Sequence, residues 1–345
     1  LGVDAEHGPL VSGWPDRRFE ALLGGRLPIV QAPMAGASGV ELAVAAIAGG
    51  GVGSLPCAML TPDEVRAQAA EVRARAAGPL NLNFFCHSVP DGGDESDWLA
   101  LLAPFYEELG ISPGARPAPT TRRAFDAAMC AAVEAVRPEL VSFHFSLPGH
   151  PLLSRVRAAG AKILGNATTP AEGRWLAERE VHAGRFLSAP PAEQMGLIAL
   201  VPRIADETGL PVIAAGGIAD ARGIAAALTL GAAAVQLGTA YLHCPESLIG
   251  PAHREGLVGR DAERTKFTNL YTGGLARGLP TRLTEALGAI RPQVPPFPLA
   301  SAALAPLGFK PMWAGQAAAL GKPEPARDLT ERLGREALAL LGGRS

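Results

Sequence analysis

The 345-residue chain reads as an α/β protein of the (β/α)8-barrel type. Three observations predict it. Short apolar or β-branched runs alternate with Ala-rich helical stretches, the pattern of a parallel sheet with crossover helices. The length suits one large core, since barrels of about 250 residues or more fold as single units. Finally, LPVIAAGGIADARGIAAALTLGAAAVQLGT, Leu210 to Thr239, is a complete strand–loop–helix–strand unit whose two strands both run into glycines.

The elements follow in order. Pro28–Ala32 is the first strand and leads into Pro33-Met34-Ala35-Gly36; the helix Val40–Ala48 and the strand Gly51–Leu55 come next. A helix then starts at the cap Thr61, with Pro62 at its first position, where a missing N–H costs nothing. Asn81–Cys86 is a third strand, and the helix Arg122–Val136 precedes a fourth, Leu140–Leu147. Pro151–Ala159 leads to Lys162–Asn166, and Pro211–Ala215 and Ala233–Leu237 flank the helix Ala221–Leu230. That makes seven clear strands. The sixth of a barrel must fall between the helices Pro170–Glu180 and Ala192–Glu207, where only VHAGRFLSAPP is available. Val181–Leu187 either serves as a poor strand, with Gly184 and Arg185 badly placed for burial, or the crossover is irregular.

Two excursions interrupt the repeat. Pro90–Pro119 is rich in Gly and Pro around a short helical piece, Asp97–Leu109. Cys244–Arg282 reads as an irregular excursion over the barrel mouth. The proline-rich Arg291–Pro311 is followed by helices at Ala317–Leu320 and Leu329–Leu341. The expected organisation is one barrel over residues 14–345, with a lid-like excursion at about 244–282 and an N-terminal extension over 1–13.

Composition narrows the partners. A net charge of −2 and no basic patch interleaved with aromatics argue against nucleic acid. The four cysteines, Cys57, Cys86, Cys130 and Cys244, show no C-x-x-C spacing and are expected as reduced buried thiols. Neither a bilayer-spanning apolar run nor a secretory pattern is visible, so a cytoplasmic location is expected. No H-x-x-x-H or paired-carboxylate spacing calls for a metal. Oligomeric state is not readable.

The glycines carry the first functional signal. Gly216-Gly217 and Gly238-Thr239 end two successive strands. There, backbone N–H groups can approach an anion with no Cβ in the way, and the last two strand ends of such a barrel commonly hold a phosphate. Plain strand and helix punctuation is the competing reading of either pair alone.

The assembled pieces resemble the FMN-dependent nitronate monooxygenases, formerly called 2-nitropropane dioxygenases. The matching stretches are PIVQAPMAGASGVELAVAAIAGGGVGSLP (Pro28–Pro56), NLNFFCH (Asn81–His87), VSFHFSLP (Val141–Pro148), VIAAGGIADARGIAAALTLGAAAVQLGTAYL (Val212–Leu242) and WAGQAA (Trp313–Ala318). The resemblance implies FMN lying along Ala32, Pro33 and Met34, with Asn83 on the flavin. It also implies phosphate and ribityl contacts at Gly216, Gly217, Gln236, Leu237, Gly238 and Thr239. His182 matches the histidine that closes the family's active-site motif, and His144 looks like a second active-site histidine. An imidazole there can act as a base towards a nitroalkane or hold the nitro group of a nitronate. The remaining histidines, including His87, His243 and His253, are expected to be structural or at the surface.

The implied reaction is oxidation of an alkyl nitronate by dioxygen to a carbonyl compound and nitrite, a nitroalkane detoxification. The NLNFFCH and FHF segments suggest propionate 3-nitronate, with Lys266 or Arg277 as candidate partners for its carboxylate. One departure stands out: the strand and the AQG and AGG portions that precede this histidine in the family are absent, about a dozen residues just before His182, where the barrel count is also one short. Two alternatives stay open: a nicotinamide-dependent reductase of quinones or enoyl thioesters on the same barrel, and a flavin-binding protein inactivated by the deletion.

Overall fold

The computed structural model describes residues 13–88, 94–113, 122–179, 182–184 (backbone only) and 193–342. The expected extension over residues 1–13 and the stretch around Arg185 fall almost wholly outside the described residues.

Helix α1 (Arg18–Leu23) precedes strand β1 (Ile29–Gln31), and α2 (Val40–Ala48) leads to β2 (Gly53–Pro56). Then come α3 (Pro62–Arg75), β3 (Leu80–Phe85), α4 (Ser96–Leu109), α5 (Ala127–Val136) and β4 (Leu140–His144). The alternation continues through α6 (His150–Ala158), β5 (Lys162–Asn166), α7 (Pro170–Ala177), β6 (His182–Gly184), α8 (Leu197–Thr208), β7 (Ile213–Ala215), α9 (Ala221–Thr229) and β8 (Ala234–Leu237). Beyond it lie α10 (Thr239–Leu242), α11 (Pro251–Val258), the antiparallel pair β9 (Lys266–Thr268) and β10 (Ala276–Gly278), α12 (Arg282–Leu287), α13 (Ser301–Leu304) and α14 (Ala326–Leu340).

Local chemistry explains several of these boundaries. Thr61 and Glu64 cap α3 reciprocally: the Glu64 amide donates to Thr61 Oγ1 and the Thr61 amide to Glu64 Oε2, which satisfies two orphan donors of the first turn. Asp126 accepts the Met129 amide and starts α5. The helix expected from Arg122 therefore begins later. Residues 122–125 are instead extended, with Ala124 bridging Phe85, Phe125 N–H donating to Phe85 O and Arg123 N–H to Ala58 O. The excursion expected to be irregular carries α11 and the β9–β10 pair.

All strand pairings from β1 to β8 are parallel, in the orders β2-β3-β4-β5-β6 and β1-β8-β7. The two sheets meet where Val30 bridges Val52. Beyond that bridge, Gln31 Oε1 accepts the Ser54 amide at 2.8 Å, so a side chain continues the seam where backbone pairing stops. The cyclic order is that of a barrel, and among the described residues no ladder joins β6 to β7. The doubtful sixth strand is present but three residues long, Gly184 included, paired with β5 from Leu164 to Asn166.

Alternation along each strand sorts the residues by face. Leu80, Leu82 and Phe84 of β3, with Val141 and Phe143 of β4, pack outward among helix residues such as Val65, Val72, Met129 and Val133. Each such buried side chain contributes about 1.5–3 kcal/mol relative to exposure. Inside, the strand starts form an apolar layer of Val30, Val52, Leu140, Leu164, Ile213 and Ala234, stoppered by Phe19 and Leu23 of α1. Above it the interior turns polar, with Ser54, Asn81, Asn83 and Ser142 all buried.

Candidate active site

The polar layer lies at the C-terminal strand ends, where a barrel presents its loops. Asn83 is its best-connected member. Its Nδ2 lies 2.9 Å from Ser142 Oγ, 3.2 Å from Ser142 O and 2.7 Å from His144 Nδ1. The Ser142 carbonyl can only accept, which fixes the amide nitrogen on that side. His144 Nδ1 then accepts from Asn83, and the neutral ring carries its hydrogen on Nε2. Burial pulls the His144 pKa down to about 4, so the ring is neutral at pH 7.

The ends of β1 and β8 lie side by side. Ala32 N–H donates to Leu237 O at 2.8 Å, and a Cβ placed on Gly238 would meet Ala32 Cβ at 3.6 Å and Met34 Sδ at 3.7 Å. Ser38 Oγ accepts the Met34 amide and holds that turn. Gly216 and Gly217 are exposed, with φ of 109° and 73°, and a Cβ on Gly217 would enter open space. Left-handed backbone of this kind can present successive amides to an anion with no side chain in the way. The N-terminus of α9 is not part of this opening, because Asp220 already accepts the Gly223 amide. Thr239 Oγ1 accepts the Gly315 amide at 2.9 Å and keeps its own hydrogen for donation. Gln236 is half-buried on the inner face of β8.

The structure thus gathers Ala32, Pro33, Met34, Gln236, Leu237, Gly238 and Thr239 at one pair of strand ends, Gly216 and Gly217 beside them, and Asn83 with His144 at another pair. The backbone of His182 is in register with Leu164, which pairs with Ser142, which pairs with Asn83. Its side chain lies outside the described residues. Arg277 is turned onto its own hairpin, donating to Thr265 O at 2.7 Å and stacking over Phe267, and Lys266 is exposed. His243 and His253 contact the carbonyls of Ala318 and Trp313, as structural histidines should.

His87 behaves otherwise. It stands in an aromatic cluster with Phe85, Phe145 and Phe297, its ring centroid 5.1 Å from that of Phe297, and Phe85 lies 5.8 Å from His144. Among the described residues neither ring nitrogen makes a hydrogen bond of ordinary geometry. Burial lowers its pKa, with a smaller opposing effect from the Arg122 backbone. Phe145 holds φ of 75°, strain that a bulky residue accepts only when its surroundings fix it. Arg122 completes the cluster, its guanidinium carbon 5.7 Å from the centre of Phe297. Sequence reasoning missed Arg122 by placing it in a helix, and His87 by grouping it with the structural histidines; the one available signal was the -FCH- continuation of a strand already assigned to the site.

Comparison with known proteins gives a consistent picture. The model of the nitronate monooxygenase family matches residues 18–334. A nitronate monooxygenase of Paraburkholderia phytofirmans (strain PsJN) is 39% identical over 347 residues, covering 93% of this chain and 94% of its own. That of Pseudomonas aeruginosa (PAO1) is 39% identical over 348 residues, covering 92% and 98%. Among solved structures, the nitroalkane oxidase of Streptomyces ansochromogenes superposes with a TM-score of 0.83 at 29% identity, over 94% of this chain and 98% of its own. FabK of Thermotoga maritima, at 23% identity and a TM-score of 0.70, over 94% and 97%, shares the fold alone.

Proposed function

This chain belongs to the nitronate monooxygenase family, and on that premise we propose that it oxidises alkyl nitronates, propionate 3-nitronate among them, with FMN and dioxygen, giving a carbonyl compound and nitrite. It is a flavin-dependent oxidoreductase of small nitro compounds by membership; the nitronate form and the roles of individual residues are our reading.

The observation that carries it is an open glycine cradle at one group of strand ends and a neutral imidazole at another, on the same end of the parallel sheets. FMN fits the residues present: Gly217 and Gly238 leave room where a Cβ would stand, and both sit at the strand ends where a phosphate is expected. Gly216, Gly217, Gly238 and Thr239 would hold the phosphate, Gln236 and Leu237 the ribityl chain, and Ala32, Pro33 and Met34 the ring edge. Asn83 would serve both the ring and His144. Bound FMN supplies an acceptor for an electron from the nitronate.

The rest belongs to the protein. A nitronate is already deprotonated, so the site must position an anion more than remove a proton. The Nε2–H of His144 suits an oxygen of the nitro group, a hydrogen bond that needs no charge on the ring. His182, on β6, is the proposed second histidine. The carbon skeleton would lie against Phe85 and Phe145, which keep water from the reacting carbon.

The test is an anaerobic absorbance titration of the FMN-reconstituted protein with propionate 3-nitronate. Bleaching of the oxidised flavin bands is expected. Flavin that ignores the nitronate but bleaches with a reduced nicotinamide would replace this reading with a reductase. Failure to retain FMN would remove the cradle assignment.

A further inference from the structure

Arg122 is unusual among the arginines of this protein. Most are paired with carboxylates at the surface, as Arg75 is with Glu41 and Arg155 with Glu134. Arg122 is half-buried against an aromatic ring, and no carboxylate among the described residues pairs with it. Desolvation alone lowers its pKa, yet a guanidinium stays protonated in proteins. A cation drawn out of water without a counter-ion is a costly arrangement that an incoming anion relieves.

Its position is built rather than incidental. The extended segment is pinned to the end of β3 by the Phe125–Phe85 bond and to Ala58 by the Arg123 amide. Phe297, on which the guanidinium rests, is held by close passage of its segment over Gly273, where φ is 83° and a Cβ would overlap the Pro295 carbonyl. His87 faces the same Phe297 ring, its two nitrogens buried and close to the Arg122 backbone. A cation with no carboxylate partner among the described residues and a buried imidazole therefore converge on one ring, and Phe85 continues the cluster to His144. Between the two polar ends the lining is aromatic.

We propose that Arg122, with His87 beside it, is the carboxylate-recognition site of this enzyme, selecting nitronates whose far end is a carboxylate. The inference rests on the nitronate reading above and names the feature of the substrate that this site reads. The planar guanidinium fork matches a carboxylate in two parallel hydrogen bonds, and the His87 ring walls the site beside it. The apolar stretch between Arg122 and His144 suits a short methylene chain. Lys266 and Arg277 are not needed for this role.

The experiment compares wild type, Arg122→Met and Arg122→Lys with propionate 3-nitronate and with ethyl nitronate, which has no carboxylate. In Arg122→Met the ratio of kcat/KM between the two should fall about tenfold or more, carried by KM, as expected for loss of a charged hydrogen bond. Arg122→Lys should retain part of the preference. A ratio within twofold of wild type in Arg122→Met overturns the proposal, and so does a wild type that prefers ethyl nitronate. A second measurement separates this from failure of the nitronate reading: calorimetric titration of the FMN-loaded proteins with 3-nitropropionate. If neither nitronate is oxidised but wild type binds 3-nitropropionate and Arg122→Met does not, the carboxylate site stands and the reaction assignment falls. If wild type does not bind it, the site falls.

Discussion

His144 makes a quantitative prediction about stability and pH. Its pKa is about 4 in the folded protein and should be about 6.5 when unfolding returns it to water. The unfolded state therefore binds the proton first. Stability from this group is complete above the unfolded value, and is lost as pH falls from about 6.5 towards 4. Between pH 7 and pH 4.5 the loss works out at roughly 2 kcal/mol. Other buried histidines, His87, His243 and His253, titrate in the same direction, so the signal is the difference between wild type and His144→Gln. Urea unfolding of flavin-free protein at pH 7 and pH 4.5 measures it, flavin being removed because ligand binding adds its own stabilisation. Wild type should lose about 2 kcal/mol more than the variant over that interval. Equal losses would mean that the ring is not desolvated in the folded state, and the neutral donor assigned to it would go with that.

Three further outcomes follow from the same geometry. Gly217→Ala places a side chain at φ of 73°; it should cost about 1–2 kcal/mol in strain and put a methyl group into the cradle, so FMN should bind more weakly by fluorescence titration. Leu164→Ala empties a position in the apolar floor of the barrel and should lower unfolding free energy by about 2–5 kcal/mol, while FMN affinity of the folded fraction holds. Gly273→Ala forces the Pro295–Phe297 segment away. Its expected cost is about 1–3 kcal/mol of stability, with KM for the carboxylated nitronate raised while FMN affinity is retained.

Much of this was legible from local rules. The helix at Val40–Ala48 and the strand at Lys162–Asn166 appear with the expected bounds, and Thr61-Pro62 marks a helix start because capping is decided within four residues. The glycines after β7 were legible for the same reason: a left-handed position constrains the residue type directly. What escaped was set by distant partners. Arg122–Asp126 has helical character by composition, but its amides are claimed by Phe85 and Ala58, and tertiary hydrogen bonds outweigh a weak propensity. The β9–β10 pair was hidden because a three-residue ladder leaves no periodicity to read. The aromatic cluster joins Phe85, Phe145 and Phe297 from separate segments, and no spacing in the chain announces it.

The division of the barrel along its axis has a consequence for specificity. The apolar floor, from Val30 to Ala234, contains none of the side chains assigned to chemistry. The upper rim, where Arg122 hangs from an extended segment after β3, can change its side chains at small risk to that floor. On the proposed role of Arg122, substitutions at His87, Arg122 or Phe297 would shift the preference for the far end of the substrate and leave the apolar floor intact, so specificity and folding would be separable along the barrel axis.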